Sequence, residues 1–268
     1  MEKSNIHEKI KLLTGNGMWH TQETEDLPSV HLSDGPHGLR KQEEKERQNN
    51  VSLVSTCYPT ASALACSWDV TAAERLGRAV AKEAWNADVA VLLGPGINMK
   101  RSPLCGRNFE YFSEDPFLAG RLGAAYVSAA QGEDVAVSLK HFAANNQETN
   151  RQTSNSQIDE RALREIYLSA FEYVVKTARP ATIMASYNRL NGYYACENRH
   201  LLTEILREEW GFDGVVISDW GACADLAKAV KAGMDLEMPD SHGIHARKLK
   251  AALKACLLYT SPSPRDTR

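Results

Sequence analysis

No stretch of the chain approaches the about eighteen consecutive apolar residues that a membrane-spanning helix requires. Neither sign of charge dominates: 31 Lys and Arg stand against 34 Asp and Glu, a formal net charge of −3, which gives no electrostatic ground for nucleic acid or an anionic membrane as partner. The N-terminal MEKSNIHEKIKLL interrupts its apolar residues with Glu2 and Glu8 and does not read as a signal peptide. The six cysteines (Cys57, Cys66, Cys105, Cys196, Cys223 and Cys256) form no CxxC pair. Without an export signal they read as reduced thiols of a cytoplasmic protein, mostly buried as small hydrophobes. No GxGxxG follows the first strand-like run and no Walker pattern occurs. Gly94-Pro95-Gly96 puts a proline where a phosphate cradle needs N–H groups, so nucleotide chemistry is set aside. No metal or organic cofactor is called for, and the His242/His245 pair reads as a coincidence of spacing rather than a metal site.

What is present is a regular alternation. Short apolar runs at Val30–Ser33, Val89–Leu93, Val135–Phe142, Ala181–Tyr187, Gly214–Asp219 and Met234–Met238 read as strands, several of them apolar without interruption, as buried parallel strands are. Between them lie helical patterns: Thr71–Asn86, with Thr71 and Glu74 as a capping box, Phe117–Gln131, Asp159–Arg179, Arg199–Trp210, and Ala222–Ala232 closed by Gly233. Strand–helix repetition predicts a parallel α/β sheet, either doubly wound or closed as a (β/α)8 barrel. The polar residues favour the barrel. Asp34, Lys140 and His141, Tyr187 and Asn188, and Asp219 and Trp220 each follow an apolar run, and only a barrel gathers so many strand ends around one pit. The polar Lys41–Asn50 reads as a solvated loop.

Composition breaks after HARKLKAALKA. The string from Cys256 to Asp266, CLLYTSPSPRD, resembles a translated sequencing adapter. Residues 1–255 are therefore expected to form one barrel domain, incomplete at its C-terminal end, with 256–268 a non-native tail and the gene product truncated.

Asp219 ends an all-apolar run beside Trp220. From spacing alone it is equally a reactive carboxylate at a barrel mouth or the N-cap of a helix starting near Ala222. Six blocks now converge: SDGPHGLR (Ser33–Arg40), YPTASALACSWD (Tyr58–Asp69), GPGINMKRSPLCGRNFEYFSEDP (Gly94–Pro116), KHFAANNQE (Lys140–Glu148), MASYNRLNG (Met184–Gly192) and GVVISDWGA (Gly214–Ala222). Together they resemble the N-terminal barrel of glycoside hydrolase family 3, in the family's order, and within it the bacterial β-glucosidases. The resemblance implies a retaining β-glycosidase whose nucleophile is Asp219, kept ionised by Lys140 and Arg107. It implies Asp34 as acceptor for distal sugar hydroxyls. Arg107 is then a fork toward sugar or Asp34, with a salt bridge to Glu110 or Glu114 compatible; those glutamates read as structural. Tyr187 is expected to hydrogen-bond the nucleophile, Met184 to pack beneath it, and Trp220 to face the sugar's C–H groups. Glu237 ends the last run and could line the pocket.

Lys140 and His141 set a geometric condition. Neighbouring strand residues face opposite ways, so both can touch the sugar only through a distorted or cis peptide near Lys140–Phe142. The second carboxyl that a retaining enzyme needs as acid/base is missing. In β-glucosidase-like members it comes from a second α/β domain after the barrel. The Asp/His pair of hexosaminidase-like members has no counterpart in NNQETNRQTSNSQIDERAL, and Asp240-Ser241-His242 lies in the wrong place. The expected partner is a β-linked glucoside or oligosaccharide. Two other readings stay open: a sugar-binding barrel without catalysis, and a Schiff-base lyase using Lys140.

Overall fold

The computed structural model describes residues 6–42 and 51–255. Most of the polar loop and the whole of the proposed tail lie outside the described residues. Five strands, β1 (Leu32–Asp34), β2 (Val91–Leu93), β3 (Ala136–Phe142), β4 (Thr182–Ala185) and β5 (Val215–Ser218), form one parallel sheet in the order β5-β4-β3-β2-β1. Among the described residues no continuous ladder joins β5 back to β1. Single bridges carry the wall onward instead, Ile217 to Leu236, Glu237 to Thr14 and His31 to His20. The architecture is that of a (β/α)8-type barrel left incomplete. The run Met234–Met238 is thus not a strand, as the apolar pattern had suggested, but a segment held by two bridges.

The uninterrupted apolar runs have a simple cause: both faces of the wall are covered. Leu32, Val91, Leu93, Met184 and Ile217 point inward and pack with Leu236 and Met238. The residues between them, Leu92, Val137, Leu139, Ile183 and Val216, point outward into a larger core shared with the helices. The inward register continues to the strand ends. It brings Asp34 two residues above Leu32, Lys140 two above Ser138, and Asp219 two above Ile217.

The helices cover the outer face. α1 (Val70–Asn86) buries Ala73, Leu76, Gly77, Val80, Ala81 and Ala84, a stripe of 3.6-residue period. Its cap is Asp69, which accepts from Thr71 N–H at 2.8 Å, so the expected Thr71/Glu74 box is not used; a carboxylate one turn-position earlier reaches the free N–H first. α2 (Pro116–Gln131) starts with Asp115 as cap and Pro116 in the first turn. The helix expected over Asp159–Arg179 is divided into Glu160–Ala162, a π-helical turn at Leu163–Tyr167, and α3 (Ser169–Ala178). α4 (His200–Glu209) is π-helical. α5 (Leu226–Ala232) ends at Gly233 with φ 108°, as expected, but begins later than predicted and is capped by Asp225. Asp219 therefore caps no helix. α6 (Ile244–Lys254) packs against α5. α1 packs on α2 and α2 on α3. Of the five described cysteines, Cys105, Cys196 and Cys223 are buried, but Cys57 and Cys66 are exposed, Cys66 as the C-cap of the short helix Ala61–Ala65. No helix among the described residues is long and apolar enough to cross a membrane.

Candidate active site

Above the C-terminal ends of the strands lies a cavity of about 480 Å³. All eight residues singled out from the sequence line it: Asp34, Arg107, Lys140, His141, Met184, Tyr187, Asp219 and Trp220. Trp19, His37, Arg40, Phe109, Glu110 and Arg151 line it too and were not expected. His37 and Arg40 belong to the same block as Asp34, so proximity along the chain could have flagged them. Arg151 lies three residues past the block Lys140–Glu148, in a loop with no periodic pattern. Trp19 comes from a short hairpin of residues 15–21 that carries no strand signal, and it meets Trp220 with ring centroids 5.3 Å apart.

β3 delivers both Lys140 and His141 to the cavity. The peptide bonds Lys140–His141 and Phe142–Ala143 are cis, meeting the condition set by the period of a strand. Lys140 Nζ, almost wholly buried, donates to Asp34 Oδ1 at 2.7 Å and lies 3.8 Å from Glu110 Oε2. Burial alone would raise the Asp34 carboxyl, but the Lys140 ammonium, the Gly35 N–H and the Arg107 guanidinium together hold it below its ordinary value. Arg40 Nη1 lies 3.9 Å from Asp34 Oδ2. Arg107 does not reach for Asp34. Its Nε pairs with Glu110, three residues on, and its Nη2 meets His141 Nε2 at 2.6 Å, because the short helical turn at Asn108–Glu110 folds Glu110 back beside it.

That contact fixes the His141 tautomer. A guanidinium only donates, so Nε2 must accept and the hydrogen sits on Nδ1. Nδ1 faces Tyr111 Oη at 3.1 Å and Asn98 Oδ1 at 3.3 Å. Asn98 also clamps the backbone, accepting from His141 N–H at 2.7 Å and donating to its carbonyl at 2.8 Å. Burial and the neighbouring Arg107, Lys140 and Arg151 push the imidazole well below its usual value, so it is neutral.

Asp219 is 6% exposed. Its Oδ1 accepts from the Trp220 N–H at 2.7 Å, while Oδ2 has no hydrogen-bond partner among the described residues and lies 3.8 Å from His141 Nε2, which carries no hydrogen to offer. Burial pushes its carboxyl up, and Arg107, the Trp220 N–H, Lys140 and the Tyr187 hydroxyl oppose that push; burial outweighs them and the net direction is upward. The Tyr187 hydroxyl stands at the nucleophile as expected, close enough to the Asp219 carboxylate to help hold it down while the carboxylate pushes the phenol up. The hydroxyl also donates to the Trp220 carbonyl at 3.0 Å, just before the turn at Gly221, which has φ 80°. Arg151 lies over the Tyr187 ring at 4.3 Å. Glu237 is not part of the cavity lining.

Comparison with known proteins now decides the family. The model of the Glycosyl hydrolase family 3 N terminal domain matches residues 39–260. The chain belongs to glycoside hydrolase family 3. It is 52% identical over 259 residues to thermostable β-glucosidase B of Acetivibrio thermocellus, covering 95% of this chain and 34% of that protein. It is 50% identical to an exo-α-(1→6)-L-arabinopyranosidase of Bifidobacterium longum, covering 88% and 32%. Among solved structures, β-glucosidase 3B of Thermotoga neapolitana in complex with glucose is similar with a TM-score of 0.90 at 39% identity, covering 96% of this chain and 39% of that one. The chain thus spans about a third of the length of these relatives.

Proposed function

We propose that this chain carries the nucleophile and most of the sugar site of a retaining β-glycosidase that removes terminal β-D-glucosyl or related residues. The observation that carries the reading is the Asp219 carboxylate, with one oxygen tied to the Trp220 N–H and the other bare at a polar cavity on the strand ends. Attack of Oδ2 on the anomeric carbon forms a covalent glycosyl-enzyme and expels the aglycone. Lys140 and Arg107 supply positive field, and a neutral His141 can accept from a sugar hydroxyl only where Arg107 releases it. Asp34, kept anionic, accepts from hydroxyls away from the reacting carbon. The Trp19–Trp220 pair offers an aromatic wall to the C–H face of the ring.

The cavity supplies no evident proton donor. Of its three lining carboxyls, Asp34 is held below its ordinary value and Glu110 is engaged by Arg107 and Lys140. Asp219 is the nucleophile. The general acid/base is therefore proposed to come from outside the described residues. The test is incubation with an activated fluoroglucoside, whose leaving group needs no protonation, followed by intact-mass and peptide analysis. A single glycosyl adduct on Asp219, absent in Asp219→Asn, is expected. Glucose binding by calorimetry with no adduct would replace this reading by a non-catalytic sugar-binding barrel. Borohydride trapping of a carbonyl compound on Lys140 would replace it by a Schiff-base lyase.

A further inference from the structure

On the outer side of the wall, away from the sugar cavity, three metal-binding side chains meet. Leu236 and Met238 point into the barrel, so Glu237 between them points outward, toward α6. There its carboxylate meets His245 Nδ1, on the first turn of α6, and lies near Ser241 Oγ at 3.4 Å. Cys223, from the loop that follows Asp219, completes the group. One donor atom from each of Cys223, Glu237 and His245 lies within 4.8 Å of the others. Glu237 is buried, and among the described residues it has no Lys or Arg ion pair, while the Asp240 carboxylate adds to the negative potential there. His245 and Ser241 satisfy this carboxylate as it stands, and an ion held by Glu237 and His245 together would supply the charge that burial of a carboxylate asks for.

We propose that Cys223, Glu237 and His245 form a zinc site. The donor set argues for this ion. A thiolate, an imidazole and a carboxylate together suit zinc, whereas calcium and magnesium want oxygen alone. A tetrahedral ion needs its ligands about 3.5 Å apart, so Glu237 and His245, already in contact, would part slightly while Cys223 closes in, an adjustment that rotation of the partly exposed His245 side chain can provide. Water would fill the fourth position. Binding displaces the thiol proton of Cys223 to solvent and replaces the Glu237–His245 hydrogen bond with two metal bonds. Its effect is structural: it would tie α6 and the segment 234–239 to the loop that starts at the nucleophile. The sequence hid the site because its three ligands are separated by 14 and by 8 residues in no motif, and the nearby His242 drew attention to the wrong pair.

The test uses the chain stripped by a chelator and titrated with Zn2+ against a chromophoric competitor, with thermal melting in parallel. One zinc per chain and a higher melting temperature are expected, together with a thiolate-to-metal charge-transfer band when Co2+ replaces Zn2+. Cys223→Ser should abolish that band, and Cys223→Ser and His245→Gln should each weaken zinc binding at least tenfold, the scale on which lost support of a metal site is felt. His242→Gln should change neither. Melting of the metal-free variants shows that they are folded before the comparison, and the near-isosteric, partly exposed His245→Gln stands alone if Cys223→Ser is not. Absence of stoichiometric zinc, or binding indifferent to His245→Gln, overturns the proposal.

Discussion

At Asp219 the needs of chemistry and of folding pull one carboxyl in opposite directions. Nucleophilic attack requires the anion, while burial favours the acid and leaves the group titrating above its ordinary range. A carboxyl raised in the folded state adds stability that is present at low pH and is lost as pH rises through the raised value. Asp219→Asn keeps the Oδ1 acceptor for the Trp220 N–H but cannot ionise. It should therefore be more stable than the parent near neutral pH by about 0.5–2 kcal/mol, with the gap closing on acidification. Thermal melts at the two ends of that range check this; a gap independent of pH would show that Arg107 and Lys140 fully offset the burial. For Asp34 the sign reverses. Its lowered carboxyl contributes stability above the ordinary aspartate range that is lost as pH falls, so Asp34→Asn should destabilise at neutral pH and leave buried Lys140 with Glu110 at 3.8 Å. Adduct formation on the parent should also fall as pH drops through the raised Asp219 value. At this scale the sequence was legible wherever a functional side chain sits in strand register, as for Asp34, Lys140 and Asp219. It was illegible where loop geometry sets the partner, which is why Arg107 turns to His141 rather than to Asp34.

Among the elements, the close approach of α1 and α2 sets a second expectation. Gly77 lies in the middle of α1, where alanine would ordinarily be the better helix former by about 1 kcal/mol. Here a Cβ would sit 2.5 Å from the Tyr126 carbonyl oxygen and 3.1 Å from its Cα, both backbone atoms that cannot rotate away. The two helices would have to separate along buried Val80, Ala84 and Leu122. Gly77→Ala should thus destabilise by about 1–3 kcal/mol, the usual range for an overpacked contact, seen as a lower denaturant midpoint. An unchanged or higher midpoint would mean that the helices can part freely. The strands and these two helices were readable because apolar period and burial agree. Met234–Met238 failed as a strand for the opposite reason: its alternating Leu236 and Met238 face the barrel interior, but its edges carry only isolated bridges. Apolar pattern reports burial, and a ladder needs a partner that no single segment reveals.

For the molecule as a whole, the decisive quantity is how the leaving group gets its proton. The chain spans about a third of the length of its β-glucosidase relatives. On the function proposed above the proton donor lies outside the described residues, since Asp34 is held below its ordinary value and Glu110 is engaged by Arg107 and Lys140. Loss of general-acid assistance typically slows a reaction by about 10²–10⁴-fold, and that loss falls unequally. An alkyl or sugar aglycone leaves as a strongly basic oxyanion and bears the whole penalty, whereas a dinitrophenyl aglycone leaves readily unprotonated. The glycosylation rate of this chain should therefore depend steeply on aglycone acidity. The ratio of dinitrophenyl to alkyl glucoside rates should exceed that of a full-length relative such as β-glucosidase B by about 10²-fold or more. Both ratios come from the same substrate pair under the same conditions, so differences in how much protein is folded cancel. Equal ratios would place an effective acid within this chain, and Glu110 would be the first to substitute. A steep ratio that disappears in Asp219→Asn would tie the chemistry to Asp219, whose Oδ2 has no hydrogen-bond partner among the described residues.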